Sequence, residues 1–299
     1  MLSMFDLVQI CAILETVRRI DMDFKICMNL GTLNHLDYET QLRVSSQAGF
    51  KTVGLHMIRL EEYLYSGHTL DDAKDCLIKN DLEAAELVFF PDWMSAKGRA
   101  RKQILARAEY VCSLMEWLKC PILNANTLGG GGYDLPLIQE NFDEICRVGA
   151  KFGVKIAIEY LPWTSVDTIK KAWEIVSGVN RSNGGIILDT FHYFKGHPSR
   201  DELNEVPIEK IFIVHLDDVE DVETDLVTLT RKHRLPPGEG IFIFDEVLEY
   251  LFARGYEGYY SLEILHHSHP FQDPVELATR SRTSTEKLLV DYWQKRQGR

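Results

Sequence analysis

Four short apolar runs in the second half of the chain each end at a side chain that can bind a divalent cation. The runs are Ile156–Glu159, Ile186–Asp189, Phe212–His215 and Tyr260–Glu263. Their last residues are 30, 26 and 48 positions apart (159 to 189, 189 to 215 and 215 to 263). Such runs are typical of buried strands, and the intervals suit a strand followed by a crossover helix. The pattern therefore predicts parallel strands whose ends bring together three carboxylates and one imidazole.

This donor set suits Mn²⁺, Mg²⁺, Co²⁺ or Zn²⁺ and does not choose among them. Each residue by itself also has an ordinary structural explanation. Asp189 could cap the following helix, and His215 could be a core histidine with satisfied hydrogen bonds. Glu159 and Glu263 could form buried ion pairs. Together, however, four nearly buried ionisable groups that are mostly anionic would be costly unless a cation lay among the carboxylates, so we predict one divalent metal site.

Other polar residues follow the predicted strands at the same edge. His192 comes three positions after Asp189, so its side chain could reach an oxygen of a bound substrate. For the remaining residues, substrate contact and loop structure are alternative explanations. These candidate substrate-binding residues are His56, Asn126, Trp163, Arg234 and Glu239.

Strand and helix patterns alternate from residue 24 to the end of the chain. The predicted strands are 24–30, 52–56, 83–90, 121–126, 155–160, 185–190, 210–216 and 259–264. The predicted helices are 38–48, 70–79, 97–118, 134–152, 166–178, 199–204, 244–254 and 273–294, with a long loop up to residue 240. Eight such units predict an α/β protein, a (β/α)8 TIM barrel with its active face at the carboxyl ends of the strands. A doubly wound open sheet is the alternative, but the G-x-G-x-x-G turn typical of it is missing after the first strand.

Residues 1–23 precede the predicted barrel. The segment is apolar, but Asp6 and Glu15 interrupt it and Arg18 follows the apolar stretch, which argues against a signal peptide. We predict an amphipathic N-terminal helical extension, followed by one catalytic barrel domain over 24–299.

Composition excludes several classes of protein. The 299 residues carry a net charge of −12, and no long basic stripe exists that could bind nucleic acid. No stretch approaches the roughly 18 uninterrupted apolar residues of a membrane span. Six cysteines without a CxxC pair indicate a reducing, cytoplasmic location. The expected partner is a small molecule, and the protein could form a homo-oligomer.

The chain resembles the xylose isomerase-like TIM barrel superfamily over residues 24–294, most strongly from 155 onward. The motifs that carry the resemblance are Ile-Glu at 158–159, Leu-Asp-x-Phe-His at 188–192, Val-His-Leu-Asp-Asp at 214–218, His-Arg-Leu-Pro-Pro-Gly-Glu-Gly at 233–240 and Ser-Leu-Glu at 261–263. Within the superfamily it is most similar to 2-keto-myo-inositol (inosose) isomerases, and it also resembles 3-dehydroshikimate dehydratases. A multi-zinc endonuclease branch needs further histidine ligands, including one from the third strand, where this chain has Phe89-Phe90-Pro91.

The resemblance implies that Glu159, Asp189, His215 and Glu263 bind one divalent metal ion. It favours an isomerase or epimerase of a keto-inositol or keto-sugar, working through a metal-stabilised enediolate. Glu159 and Glu263 would then transfer the proton, and His192 would hydrogen-bond the carbonyl oxygen. The alternatives are a dehydratase or lyase of the dehydroshikimate, inosose or C-glycoside-cleaving kind, and a non-catalytic sugar-binding barrel.

Overall fold

A closed barrel of eight parallel strands forms the centre of the protein, which a computed structural model describes over residues 24–197 and 199–298. The barrel strands are β1 (Ile26–Asn29), β2 (Thr52–His56), β3 (Glu83–Val88), β4 (Ile122–Asn126), β5 (Lys155–Glu159), β6 (Gly184–Asp189), β7 (Ile211–His215) and β10 (Tyr259–Leu262). Neighbours along the chain pair with each other, and β10 closes the barrel between β7 and β1. The predicted (β/α)8 barrel is confirmed, and closure rules out the open sheet. The predicted helix over 1–23 lies outside the described residues.

Helices cover the outside of the barrel and bury its apolar surface. They are α1 (Tyr38–Gln47), α2 (Met57–Tyr65), α3 (Leu70–Lys79), α4 (Gly98–Leu118), α5 (Leu135–Lys151), α6 (Ile169–Val179), α7 (Thr190–Lys195), α8 (Arg200–Asn204), α9 (Leu226–Lys232), α10 (Asp245–Ala253) and α11 (Pro274–Gln297). All eight predicted helices are present, and three more were not predicted. One of these, α9, lies in the predicted loop, and the other two are α2 and α7. Both follow a strand without any intervening turn residue, so the sequence has no Gly or Pro there to separate the two elements.

The predicted loop up to residue 240 is wrong, because the segment is folded. It contains α9 and an antiparallel ribbon of two short strands, β8 (Asp218–Val219) and β9 (Arg234–Leu235). Its organising group is the buried carboxylate of Asp218, which accepts hydrogen bonds from the backbone N–H groups of Gly238, Gly240 and Phe242 at 2.9–3.1 Å. A buried carboxylate needs such donors, and the chain supplies them by wrapping around it.

A helix cap and an apolar cluster stabilise other parts of the fold. Thr69 and Asp72 form a reciprocal capping box at the start of α3. The part of the barrel interior away from the carboxyl ends of the strands is filled by Ile122, Ala157 and Ile187. Among the described residues, no helix combines the length and the hydropathy that crossing a membrane requires.

Candidate metal centre

Four ionisable side chains converge at the carboxyl ends of neighbouring strands. Glu159, Asp189 and His215 are the last residues of β5, β6 and β7, and Glu263 directly follows β10. One ligand atom from each lies within 4.8 Å of all the others. Because the strand order is β5, β6, β7, β10, the two glutamates stand at opposite ends of the set. The structure therefore brings together all four residues that the sequence predicted as metal ligands.

The imidazole of His215 is oriented with Nδ1 towards the three carboxylates. Nδ1 lies 3.3 Å from Glu159 Oε1 and 3.8 Å from both Asp189 Oδ2 and Glu263 Oε2. Within the described part of the chain, His215 Nδ1 and Glu159 Oε1 are buried and have no hydrogen-bond partner. A cation about 2.0–2.2 Å from each donor would satisfy both atoms, so this donor set fits a divalent metal ion.

Asp189 has two roles that the sequence presented as alternatives. Its Oδ1 accepts a hydrogen bond of 2.8 Å from His192 N and so caps α7. Its Oδ2 faces the cluster and accepts from Arg234 Nη1 at 3.1 Å. Since each carboxylate oxygen has two lone pairs, Oδ2 could bind a cation while it also accepts from Arg234.

Arg234 is buried beside the cluster and partly balances its negative charge. The guanidinium contacts Asp189, Asp217 and Glu263, and its Nη1–Glu263 Oε2 distance is 3.2 Å. Its Nε and Nη2 also donate to Thr230 Oγ1. The sequence predicted a substrate contact for Arg234. Its side chain does line the cavity beside the cluster, and its hydrogen bonds also hold the carboxylates of Asp189 and Glu263 in place.

A cavity of about 610 Å³ opens beside the cluster and is lined by two of its members, Glu159 and Glu263. This volume is usual for a small-molecule site. Four of the predicted residues besides Arg234 line the cavity: His56, Asn126, Trp163 and His192. His192 Nε2 lies 3.6 Å from Asp189 Oδ2, and its ring packs edge-on against Trp163 at 5.4 Å. Burial lowers the pKa of both His56 and His192 to about 4, so both rings are neutral at pH 7.

Glu239 is not brought to this cavity, in contrast to the prediction. Its carboxylate pairs with Arg280 on α11, with an Oε1–Nε distance of 3.0 Å. The reason is local: the N–H groups of Gly238 and Gly240 turn inward to Asp218, so the side chain between them points outward. The backbone on both sides of Glu239 is thus held by the carboxylate of Asp218.

Burial and neighbouring charges shift the pKa of each carboxyl group in the cluster. Burial raises the pKa of Glu263 to about 7. Burial alone would also raise the pKa of Glu159, but contact with His215 leaves it below the ordinary value. For Asp189, the Arg234 guanidinium overcomes burial and holds the pKa well below its usual range. Burial would lower the pKa of His215, yet Glu86, Asp189 and Glu159 raise it well above the ordinary value.

Two groups of residues at the site were missed by the sequence analysis. The first comprises the buried carboxylates of Glu86 and Asp217, of which Glu86 contacts His215 and Asp217 contacts Arg234. A charged residue inside the apolar strand pattern of 83–90 was the available signal for Glu86. The second is a set of rim histidines that line the cavity, namely His35, His266 and His269. The cluster His266-His267-Ser268-His269, close after Glu263, was visible in the sequence.

The closed barrel with this cluster at its carboxyl-terminal rim defines a class of protein that sequence comparison also identifies. Residues 42–288 match the xylose isomerase-like TIM barrel family, and the chain belongs to that family. The resemblance predicted from the motifs is therefore confirmed.

Within the family, the chain is similar to relatives with different activities. It is 29% identical to the inosose isomerase of Halalkalibacterium halodurans over 284 residues, which is 89% of this chain and 96% of the relative. It is 29% identical to a 3-dehydroshikimate dehydratase of Pseudomonas aeruginosa over 234 residues, 75% of this chain but 35% of that longer protein. Among solved structures, the IOLI protein with a bound zinc atom superposes with a TM-score of 0.82 at 24% identity, over 90% of this chain and 99% of that one.

Proposed function

We propose that the protein is a divalent-metal-dependent isomerase or epimerase of a keto-inositol or keto-sugar. The observation that carries the proposal is the group of three carboxylates and His215 Nδ1, gathered within 4.8 Å beside a cavity that Glu159 and Glu263 line. The similarity to an inosose isomerase over nearly the full length of both chains supports this choice of substrate.

The metal site would be formed by Glu159, Asp189, His215 and Glu263, and Mn²⁺, Zn²⁺, Co²⁺ and Mg²⁺ all remain candidates. When bound, the cation supplies Lewis-acid stabilisation of the negative charge that develops on the substrate oxygens. Arg234 holds the carboxylates of Asp189 and Glu263 in place. The cluster is thereby organised before the ion arrives.

Proton transfer falls to the two glutamates. Glu159 and Glu263 stand at opposite ends of the cluster, so a substrate bound between them would meet one carboxylate on each side. Each has a second oxygen that can accept a proton from, or return one to, a substrate carbon next to the carbonyl. His192 would orient the substrate by hydrogen-bonding its carbonyl oxygen through Nε2, because its ring is neutral and faces the cavity. His56, Asn126 and Trp163 would form the walls that contact the rest of the ring.

A dehydratase is the second candidate, and the similarity to 3-dehydroshikimate dehydratase over three quarters of this chain favours it. The first step would be the same removal of a proton next to a carbonyl. If the substrate carries a hydroxyl one carbon further, the same residues could protonate it as it leaves as water. The pose of the substrate would decide between the two outcomes.

The test is incubation with 2-keto-myo-inositol and, separately, with 3-dehydroshikimate in D₂O, with Mn²⁺ or with a chelator. Deuterium entering the inosose, together with formation of a rearranged ketone, is the expected result, and it should disappear with the chelator. Loss of water from 3-dehydroshikimate would instead support the dehydratase. If neither compound exchanges a proton in the presence of metal, the barrel is not acting on these substrates and the proposal fails.

A further inference from the structure

Glu86 is a fully buried carboxylate in β3 that the chemistry of the cavity does not use directly. Its side chain crosses the barrel interior to β7, on the opposite side of the strand order, where Oε2 lies 2.9 Å from His215 Nε2. Its Oε1 accepts hydrogen bonds from Ser261 Oγ at 2.5 Å and Asn29 Nδ2 at 3.3 Å. Three donors from three different strands therefore converge on one carboxylate.

Gly54 provides the space that this carboxylate occupies. Gly54 lies on β2, next to β3, and a Cβ atom built on it would be 2.7 Å from Glu86 Oε1 and 2.9 Å from Glu86 Cγ. Such contacts are shorter than real Cβ atoms show, and the neighbour they meet is held by three hydrogen bonds. Any larger residue at position 54 would have to displace the carboxylate.

We propose that Glu86 is a positioning residue of the metal centre, which accepts the Nε2 hydrogen bond of His215 so that Nδ1 faces the carboxylate cluster. The proposal rests on the metal site of the proposed function. A carboxylate behind a ligand histidine orients the ring and makes the nitrogen that faces the metal a better donor. Glu86 lies on β3, which carries none of the four candidate ligands. Its hydrogen bond to His215 therefore connects the opposite side of the barrel to the site.

The first test compares Glu86→Gln with Glu83→Gln, which makes the same change at the exposed start of the same strand. The dissociation constant for Zn²⁺ is measured by chelator competition, and the Tm is measured without metal. Glu86→Gln keeps the shape of the side chain but removes its charge, so Zn²⁺ should bind about 10–100-fold more weakly. Glu83→Gln should bind Zn²⁺ as the wild type does.

A second test moves the carboxylate to the neighbouring strand. A Cβ atom on Gly54 would lie 2.7 Å from Glu86 Oε1 and 3.2 Å from Glu86 Cδ, so an aspartate there would bring a carboxylate into the space that Glu86→Ala vacates. Glu86→Ala alone should lose Zn²⁺ affinity, and Gly54→Asp combined with Glu86→Ala should recover much of it. If Glu86 only fills space in β3, moving the carboxylate to position 54 should not restore the Zn²⁺ affinity. A double variant that binds no better than Glu86→Ala contradicts the proposal.

A third measurement uses the wild-type chain, so it does not depend on a variant that folds. Loaded with Co²⁺, the protein should show one hyperfine-shifted imidazole N–H proton that exchanges slowly with D₂O, because Nε2–H is buried against Glu86. Its absence, or an unchanged Zn²⁺ affinity in folded Glu86→Gln, overturns this proposal while leaving the metal site intact. Failure of the wild type to bind Zn²⁺ or Co²⁺ would instead overturn the proposed function itself.

Discussion

At the scale of residues, the candidate site depends on side chains whose two polar atoms serve different neighbours. Asp189 caps α7 with one oxygen and faces the cluster with the other. His215 offers Nδ1 to the cluster while Nε2 contacts Glu86. Each second contact fixes a rotamer, which lowers the entropy that must be lost when an ion or a substrate binds.

Glu263→Gln should abolish most of the proton exchange between substrate and solvent. The amide cannot act as a base and is a poorer ligand, so the rate should fall at least about 10²-fold. The measurement is deuterium incorporation into 2-keto-myo-inositol at saturating Mn²⁺. Glu257→Gln, an exposed change six residues earlier, is the control. Full exchange in Glu263→Gln would remove this residue from the acid–base pair.

Metal affinity should weaken as the pH falls below about 7. Burial raises the pKa of Glu263 to about 7, so below that pH a proton occupies a ligand that the cation needs. The pKa of His215 is also raised, which adds a second competing proton. The expected loss of affinity is at least about tenfold per pH unit between pH 7 and 5, measured by titration with Mn²⁺. An affinity that stays constant over this interval would contradict the raised pKa of Glu263.

At the scale of elements, the ribbon of β8 and β9 is held by Asp218 and in turn presents Arg234 to the cluster. Asp218→Asn replaces one of the two carboxylate oxygens, which accept hydrogen bonds, with an NH₂ group. That group is a donor and would face backbone N–H groups that are also donors. We expect a loss of about 1–3 kcal/mol in the free energy of unfolding, read from urea denaturation. The exposed neighbour Asp221→Asn should change it by less than about 0.5 kcal/mol. Equal stability of the two variants would show that the ribbon does not depend on this carboxylate.

At the scale of the whole molecule, barrel closure brings β10 beside β7 and completes the cluster with Glu263. A cation that binds only the folded chain should therefore stabilise the whole barrel. Mn²⁺ or Zn²⁺ at about 100 times its dissociation constant adds roughly 2.7 kcal/mol and should raise the Tm by about 4 °C. His215→Asn should show no such shift. A wild-type Tm that does not respond to these metals would argue against the site.

Other properties of the whole molecule stay predictions. They are the cytoplasmic location, the homo-oligomer and the division into an extension over 1–23 and a barrel over 24–299. Size-exclusion chromatography with light scattering measures the oligomer directly.

The sequence by itself was enough to predict the barrel and the four clustered side chains. Strand and helix periodicity identifies the elements, and parallel strands necessarily place their carboxyl ends at one rim, so residues at strand ends must meet. Only the tertiary structure decided which polar groups face each other across the interior. Glu86 and His215 are 129 positions apart, and their contact exists because the barrel closes and Gly54 leaves room. The outward direction of Glu239 was likewise beyond the sequence, since it follows from where neighbouring backbone N–H groups find their acceptor.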